Sequence, residues 1–197
     1  MKTYDVVIIG GGPAAIVTGT TIKRFYQSKS VLMIKENTEG LVPCGIPYIF
    51  HLLDNDADKN KMGPKPFVHL GGTVSVNKAE TIDTSKKTVT VESGEQFGYD
   101  KLVFATGSYP QVPDFIPGHD LQNVFYIKKD YMYVKDLALR KNGFKKMVII
   151  GGGFIGAEVA EQMAQSGINV TLVESEPVCF SRAFSTELSR IATEALK

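Results

Sequence analysis

Two short runs of β-branched residues punctuate the chain, Val6-Val7-Ile8-Ile9 and Val148-Ile149-Ile150, and each opens directly onto a triplet of glycines. Such runs predict buried strands that end in a tight turn. Behind the second triplet, residues 154–166 place Ile155, Val159, Ala160, Met163 and Ala164 at helical spacing, with Gly167 as the C-terminal stop. Residues 168–173 then predict a second strand, ending at Glu174. Behind the first triplet, Pro13 suits a first helical turn, but Thr18, Gly19, Thr20 and Thr21 are poor helix formers. That helix is expected to be carried by packing of Ile16, Val17 and Ile22, with residues 31–34 as the following strand.

The region between the two units is less regular. Residues 46–53 predict a brief helix, and residues 54–66, dense in charge, Asn and Pro, predict a loop. Residues 73–76, 79–82 and 87–91 read as strands, and Ser93-Gly94 as a turn from which residues 96–99 return, together a small antiparallel layer. Residues 101–105 form a further apolar, buried strand. Pro110, Pro113 and Pro117 punctuate a linker, and residues 131–140 predict a helix leading into the second unit.

The glycines define the chemistry. Gly10 and Gly151 allow the turn off the strand, Gly12 and Gly153 admit a pyrophosphate against the backbone, and Ala15 and Gly156 keep helix and strand close. The helix N-termini, with Gly11 and Ala14 on either side of Pro13 in one and Phe154 and Ile155 in the other, offer unsatisfied N–H groups to phosphate, Pro13 itself having none to offer. A carboxylate after the next strand takes the ribose hydroxyls, which points to Glu36 and Glu174. Two such sites imply two dinucleotides and electron transfer between them. Glu174 would repel a 2′-phosphate, so NADH is favoured over NADPH at the second.

Composition narrows the setting. A formal net charge of +1 gives no electrostatic reason for nucleic acid or an anionic membrane as partner. No apolar run approaches the ~18–20 residues of a membrane span, and no secretory leader precedes the first strand. The two cysteines, Cys44 and Cys179, form no CxxC pair, and the three histidines share no spacing, so neither zinc nor a disulfide framework is expected. A reducing cytoplasm fits this usage. Arg140, Lys141, Lys145 and Lys146 read as a solvated approach to a strand. A nucleotide-binding half takes roughly 100–150 residues, and two strands do not complete a doubly wound sheet, so the chain is expected to be truncated.

Gly10 to Ala15, the segment from Tyr99 to Gly107, and Gly151 to Glu158 occur in the order seen in FAD-dependent pyridine nucleotide–disulfide oxidoreductases, which the chain resembles over nearly its whole length. The resemblance implies an α/β fold: a Rossmann-like FAD-binding unit with a small antiparallel β insertion over residues 1–113, then the first part of a second Rossmann-like, NAD(H)-binding unit over 114–197. It implies that Ala105, Thr106 and Gly107 pass beside the flavin nucleotide, and that Glu158 lies where nicotinamide meets flavin. Pro43-Cys44-Gly45-Ile46-Pro47-Tyr48 is similar to the single-cysteine subgroup of coenzyme A–disulfide reductases, NADH oxidases, NADH peroxidases and persulfide reductases. Cys44 is then the redox centre, acting on a disulfide, persulfide, peroxide or oxygen, in a parent protein that is a homodimer. Pro47 in a first helical turn would set the thiol near a helix N-terminus, which favours thiolate. Cys179 matches no redox position and reads as a small buried hydrophobe. The sequence departs from the family in two places: Pro43 replaces a usual Asn, and Lys35 occupies the usual acidic position, with Glu36 one place later. Two other readings stay open: a flavoprotein reductase passing electrons to a redox protein, with Cys44 inert, and a nucleotide-binding fragment that retains FAD weakly.

Overall fold

A computed structural model describes all residues, Met1–Lys197. In chain order the elements are β1 (Lys2–Ile9), α1 (Pro13–Phe25), β2 (Val31–Lys35), β3 (Gly40–Leu41), α2 (Ile46–Ile49), β4 (Lys61–Met62), α3 (Lys65–His69), β5 (Thr73–Val76), β6 (Ala79–Asp83), β7 (Thr88–Val91), β8 (Gln96–Phe104), α4 (Tyr131–Arg140), β9 (Lys146–Ile150), α5 (Phe154–Gln165), β10 (Asn169–Val173) and α6 (Thr186–Ala195). They form two compact units. The first comprises Met1–Val42 and Lys61–Asp130, the second Pro43–Asn60 and Tyr131–Lys197. These units are not coextensive with segments 1–113 and 114–197: the proline-rich stretch stays with the first unit, and the Cys44 segment clusters with the second. No helix is long and apolar enough to cross a membrane.

The first unit is built on one six-stranded sheet in the order β5-β2-β1-β8-β7-β6. β1 pairs in parallel with β2 and β8, and β2 with β5, while β7 runs antiparallel to both β8 and β6. The antiparallel strands therefore extend the parallel sheet at its edge. Strand alternation divides the apolar runs between two faces. Val7, Ile9, Leu32, Ile34, Val89 and Phe97 pack on one, and Ile8, Val31, Met33, Ala15, Ile16 and Phe67 on the other. Both faces of β1 and β2 are covered, which is why their sequences are continuous in apolar residues rather than alternating.

Several local expectations change. Residues 96–99 and 101–105 are not two strands but one, β8, antiparallel to β7 in its first half and parallel to β1 along its length. The expected loop 54–66 contains a 3₁₀ turn at Ala57–Asn60, β4 and the start of α3. In α1, Ile16 is buried but Val17 is 62% exposed. The ring of Phe67 supplies the missing packing, and a Cβ on Gly19 would meet it at 2.8 Å. The poor helix former is there because the ring needs the space.

In the second unit β9 and β10 pair in parallel, Ile149 opposite Leu172, and α5 connects them. Ala157, Val159, Ala160 and Met163 bury one face of α5. The Cys44 segment is tied to this unit by polar contacts. Lys141 Nζ donates to the Phe50 carbonyl at 2.5 Å, capping the end of α2. Leu52 N–H donates to Gln162 Oε1 at 3.2 Å, and the Tyr131 hydroxyl donates to Asp58 at 2.9 Å. Val148, Ile150 and Val173 leave one face of the β9–β10 pair exposed.

Candidate nucleotide sites

The two glycine turns are built on the same plan. Gly10 N–H donates to the Ile34 carbonyl at 2.8 Å, and Gly151 N–H to the Val173 carbonyl at 2.8 Å, so each turn is hung from the end of the neighbouring parallel strand. Gly10 has φ +127° and Gly151 has φ +108°, a region that side chains disfavour. Gly12 and Gly153 cap α1 and α5 in extended conformation, and neither helix has a side-chain cap. The first-turn N–H groups thus have no partner within the helix, and a helix N-terminus of this kind favours an anion. A Cβ at Gly12 or Gly153 would meet nothing within 4 Å. Both turns therefore leave open the approach that a pyrophosphate needs, and in this respect the residues fit a dinucleotide.

Around the first turn the structure gathers Gly10 to Ala15, Ala105 and Lys35. Ala105 N–H donates to the Ile9 carbonyl at 2.8 Å, and a Cβ at Gly10 would lie 2.0 Å from the Ala105 oxygen. Thr106 and Gly107 continue, exposed, from this contact, Gly107 with φ +76°. Ala15 is fully buried at the helix–strand contact. The residue following Ile34 is Lys35, which ends β2, so Lys35 stands at the position equivalent to Glu174, and Glu36 is exposed one residue later.

Around the second turn, Glu174 Oε2 accepts the Gly152 N–H at 2.6 Å, and Oε1 accepts the Glu176 N–H and the Ser175 hydroxyl, both at 3.0 Å. The Glu176 amide, then that of Gly152, holds this carboxyl below its ordinary value. Glu174 lines a cavity of ≈ 420 Å³ with Gly153, Phe154, Phe180 and Arg182. The Phe154 ring lies 5.5 Å from those of Phe180 and Phe184, and Phe180 adopts φ +59° while its N–H donates to the Gly152 carbonyl at 2.9 Å. No periodicity marks Phe180 or Arg182 in the sequence. The one signal is their place just beyond the strand-end acid, where a loop must turn back over the glycines. Gly156 packs against its own turn, since a Cβ there would lie 1.8 Å from the Gly151 oxygen. Phe154 and Ile155 are exposed, and Glu158 is half-buried one helical turn before Gln162.

Cys44 stands in neither turn. It is exposed, at the centre of a 3₁₀ turn over Pro43–Gly45, and α2 follows with Pro47 in its first turn. Cys179 is buried beneath the second turn, its Sγ 2.6 Å from where a Gly152 Cβ would lie. No group of three or more His, Cys, Asp or Glu residues is placed to hold a metal ion.

Comparison with known proteins decides the family. The family model described as pyridine nucleotide-disulphide oxidoreductase matches residues 4–197. The chain belongs to this family. It is 36% identical over 199 residues to an NAD(P)H coenzyme A polysulfide/persulfide reductase of Pyrococcus horikoshii, covering 98% of this chain and 44% of that protein. It is 30% identical over 201 residues to a ferredoxin–NAD(P)(+) reductase of Sphingomonas sp., covering 97% of this chain and 46% of the relative. Among solved structures, a water-forming NADH oxidase from Lactobacillus brevis bound to NADH superposes with a TM-score of 0.84 at 27% identity, over 99% of this chain and 44% of that one. The chain thus spans less than half the length of these members of the pyridine nucleotide-disulphide oxidoreductase family, and its α/β fold is theirs.

Proposed function

We propose that the chain is the nucleotide-binding part of an FAD-dependent NAD(P)H oxidoreductase that reduces a disulfide, persulfide, peroxide or oxygen through Cys44. The observation that carries this reading is the pair of equivalent glycine turns, each open at its second glycine and each at an uncapped helix N-terminus. FAD at the first turn would supply a two-electron carrier between a reduced nicotinamide and sulfur. The chain's own residues bind and orient. Gly12 and the first amides of α1 hold the flavin pyrophosphate, with Ala105, Thr106 and Gly107 alongside. Gly153 and the first amides of α5 hold the nicotinamide dinucleotide, and Glu174 accepts its ribose hydroxyls. Glu174 with Glu176 beside it opposes a 2′-phosphate, which favours NADH. Glu158 stands near the nicotinamide end. Cys44, exposed, is the group that meets the sulfur or oxygen acceptor. The whole protein would act as a homodimer in the cytoplasm.

Cys44→Ser, with FAD supplied at saturation, tests the relay. NADH-dependent turnover of disulfide or persulfide is expected to vanish while bleaching of the flavin absorbance by NADH persists. Undiminished turnover in the variant rules the relay out. It would favour the second reading, transfer to a redox protein with Cys44 inert, which the similarity to the Sphingomonas ferredoxin reductase supports.

A further inference from the structure

The two turns differ at one seat, and the difference is one of charge. Each strand end hangs its turn by the same 2.8 Å bond, from Ile34 in one case and Val173 in the other, so the next residues, Lys35 and Glu174, are equivalent. In the second turn this seat holds a carboxylate that accepts the Gly152 amide. In the first it holds a lysine whose stem lies against Gly11: a Cβ there would come 2.7 Å from Lys35 Cβ and 3.1 Å from its Cε. A lysine cannot accept the glycine amide. Both the turn and the seat are therefore donors, where a ribose-binding carboxylate would be an acceptor.

The Lys35 residue is only 5% exposed, and its ammonium donates to the Thr38 carbonyl at 2.9 Å. One of its three donors is thus used by a neutral oxygen, and the charge of Glu39 partly offsets its desolvation. Burial pushes this ammonium below its ordinary value. A desolvated cation with one neutral partner gains most from an anionic acceptor.

We propose that Lys35 is a specificity-determining residue of the first nucleotide site, giving its ribose end a preference for a phosphate-bearing ribose, which Glu174 denies to the second. The inference rests on the reading of the first turn as a nucleotide site. Unphosphorylated nucleotides, FAD included, are held there by ribose oxygens accepting from Lys35, without the carboxylate that would accept from their hydroxyls. The site is correspondingly weaker for them than a carboxylate-bearing one.

The test titrates the chain with AMP, FAD, adenosine 2′,5′-bisphosphate and adenosine 3′,5′-bisphosphate. Amide resonances of Gly11 and Gly12 report the first turn, and those of Gly152 and Gly153 the second. At the first turn one of the bisphosphates is expected to bind about tenfold tighter than AMP, a difference of about one charge-assisted bond; which one it is distinguishes a 2′- from a 3′-phosphate. Lys35→Glu should reverse that order and tighten FAD by about tenfold, leaving the second turn unchanged. Lys35→Met, which keeps the stem, should abolish the preference without tightening AMP. An AMP-to-bisphosphate ratio equal in the parent and Lys35→Glu overturns the proposal, as does equal weakening of every ligand by both substitutions, which would make Lys35 a brace for the loop ending at Thr38. Nucleotide binding at the first turn without FAD uptake would remove the flavin reading and leave the role of Lys35 standing. No response at Gly11 and Gly12 to any ligand removes both.

Discussion

Adding one methyl group to the first turn should have opposite consequences two residues apart. At Gly10 the backbone sits at φ +127° and the new Cβ would lie 2.0 Å from the Ala105 oxygen. The disfavoured backbone region costs about 1–3 kcal/mol, and forcing an atom into a packed contact costs another ~1–3 kcal/mol. Gly10→Ala should therefore lose about 2–6 kcal/mol, a large share of the ~5–15 kcal/mol that holds a typical domain. At Gly12 the backbone is extended, with φ −83° and ψ −171°, and the Cβ meets nothing. Alanine is a poorer N-cap than glycine by up to about 1 kcal/mol, and the stiffer unfolded chain returns ~0.4–1 kcal/mol, so the net change is within about 1 kcal/mol. The same methyl stands where a pyrophosphate must approach. Losing one charge-assisted bond of ~1.5–3 kcal/mol weakens ADP binding by about 10–100-fold. Urea unfolding followed by circular dichroism, with calorimetric ADP titration of each variant, separates the two effects. Equal destabilisation of Gly12→Ala and Gly10→Ala, or ADP binding by Gly12→Ala at the first-turn resonances as tight as the parent's, would refute this difference between the two positions.

Acid should unfold the chain through its hydrogen-bonded carboxylates. The Ser85 hydroxyl and the Lys86 amide hold Asp83 at about 2, the Lys29 ammonium holds Asp5 well below the usual carboxylate range, and Glu174 is lowered by the Glu176 amide. All three shift downward, so their contribution is full above the ordinary values of 3.8 and 4.5 and is lost as pH falls through the lowered ones. Thermal midpoints should accordingly be level in carboxylate contribution above pH 5 and fall below pH 4; midpoints unchanged down to pH 2 would contradict this. Gln162→Leu removes the acceptor of the Leu52 N–H and should cost about 1–3 kcal/mol in urea unfolding. A cost near zero would show that the bond does not hold the Cys44 segment.

The strand–glycine–helix units were legible because β-branched runs and glycine spacing act locally: the residues that form β1 and the turn at Gly10 need no distant partner to declare themselves. The continuity of β8 was not legible, because Tyr99-Asp100-Lys101 places charges mid-strand, and only pairing to both β1 and β7 shows the segment to be one strand. α3 is hidden by Pro64 and Pro66 and exists because Phe67 must be buried against α1. At the sites, Glu174 follows its strand by the expected spacing. In the first site, however, residue type favours Glu36, the one carboxylate at the strand end, whereas the Gly10–Ile34 bond fixes Lys35 in the equivalent seat. A shift of one residue is below what spacing resolves. The aromatic group of Phe154, Phe180 and Phe184 comes from residues 30 positions apart at its extremes, and only the fold brings them within 6 Å of one another.

The Cys44 segment also sets a clock on synthesis. Its anchors lie far downstream: Phe50 waits for Lys141, 91 residues later, and Leu52 for Gln162, 110 residues later. At ~5–20 residues per second a ribosome takes about 5–20 s to deliver those partners. Over that interval the strands of the first unit up to β8 emerge and can pair, while the thiol-bearing segment between β3 and β4 has none of the second unit to pack on. Until those anchors arrive, the segment that carries the exposed Cys44 thiol has no fixed seat, so its docking must follow the pairing of the strands made before it.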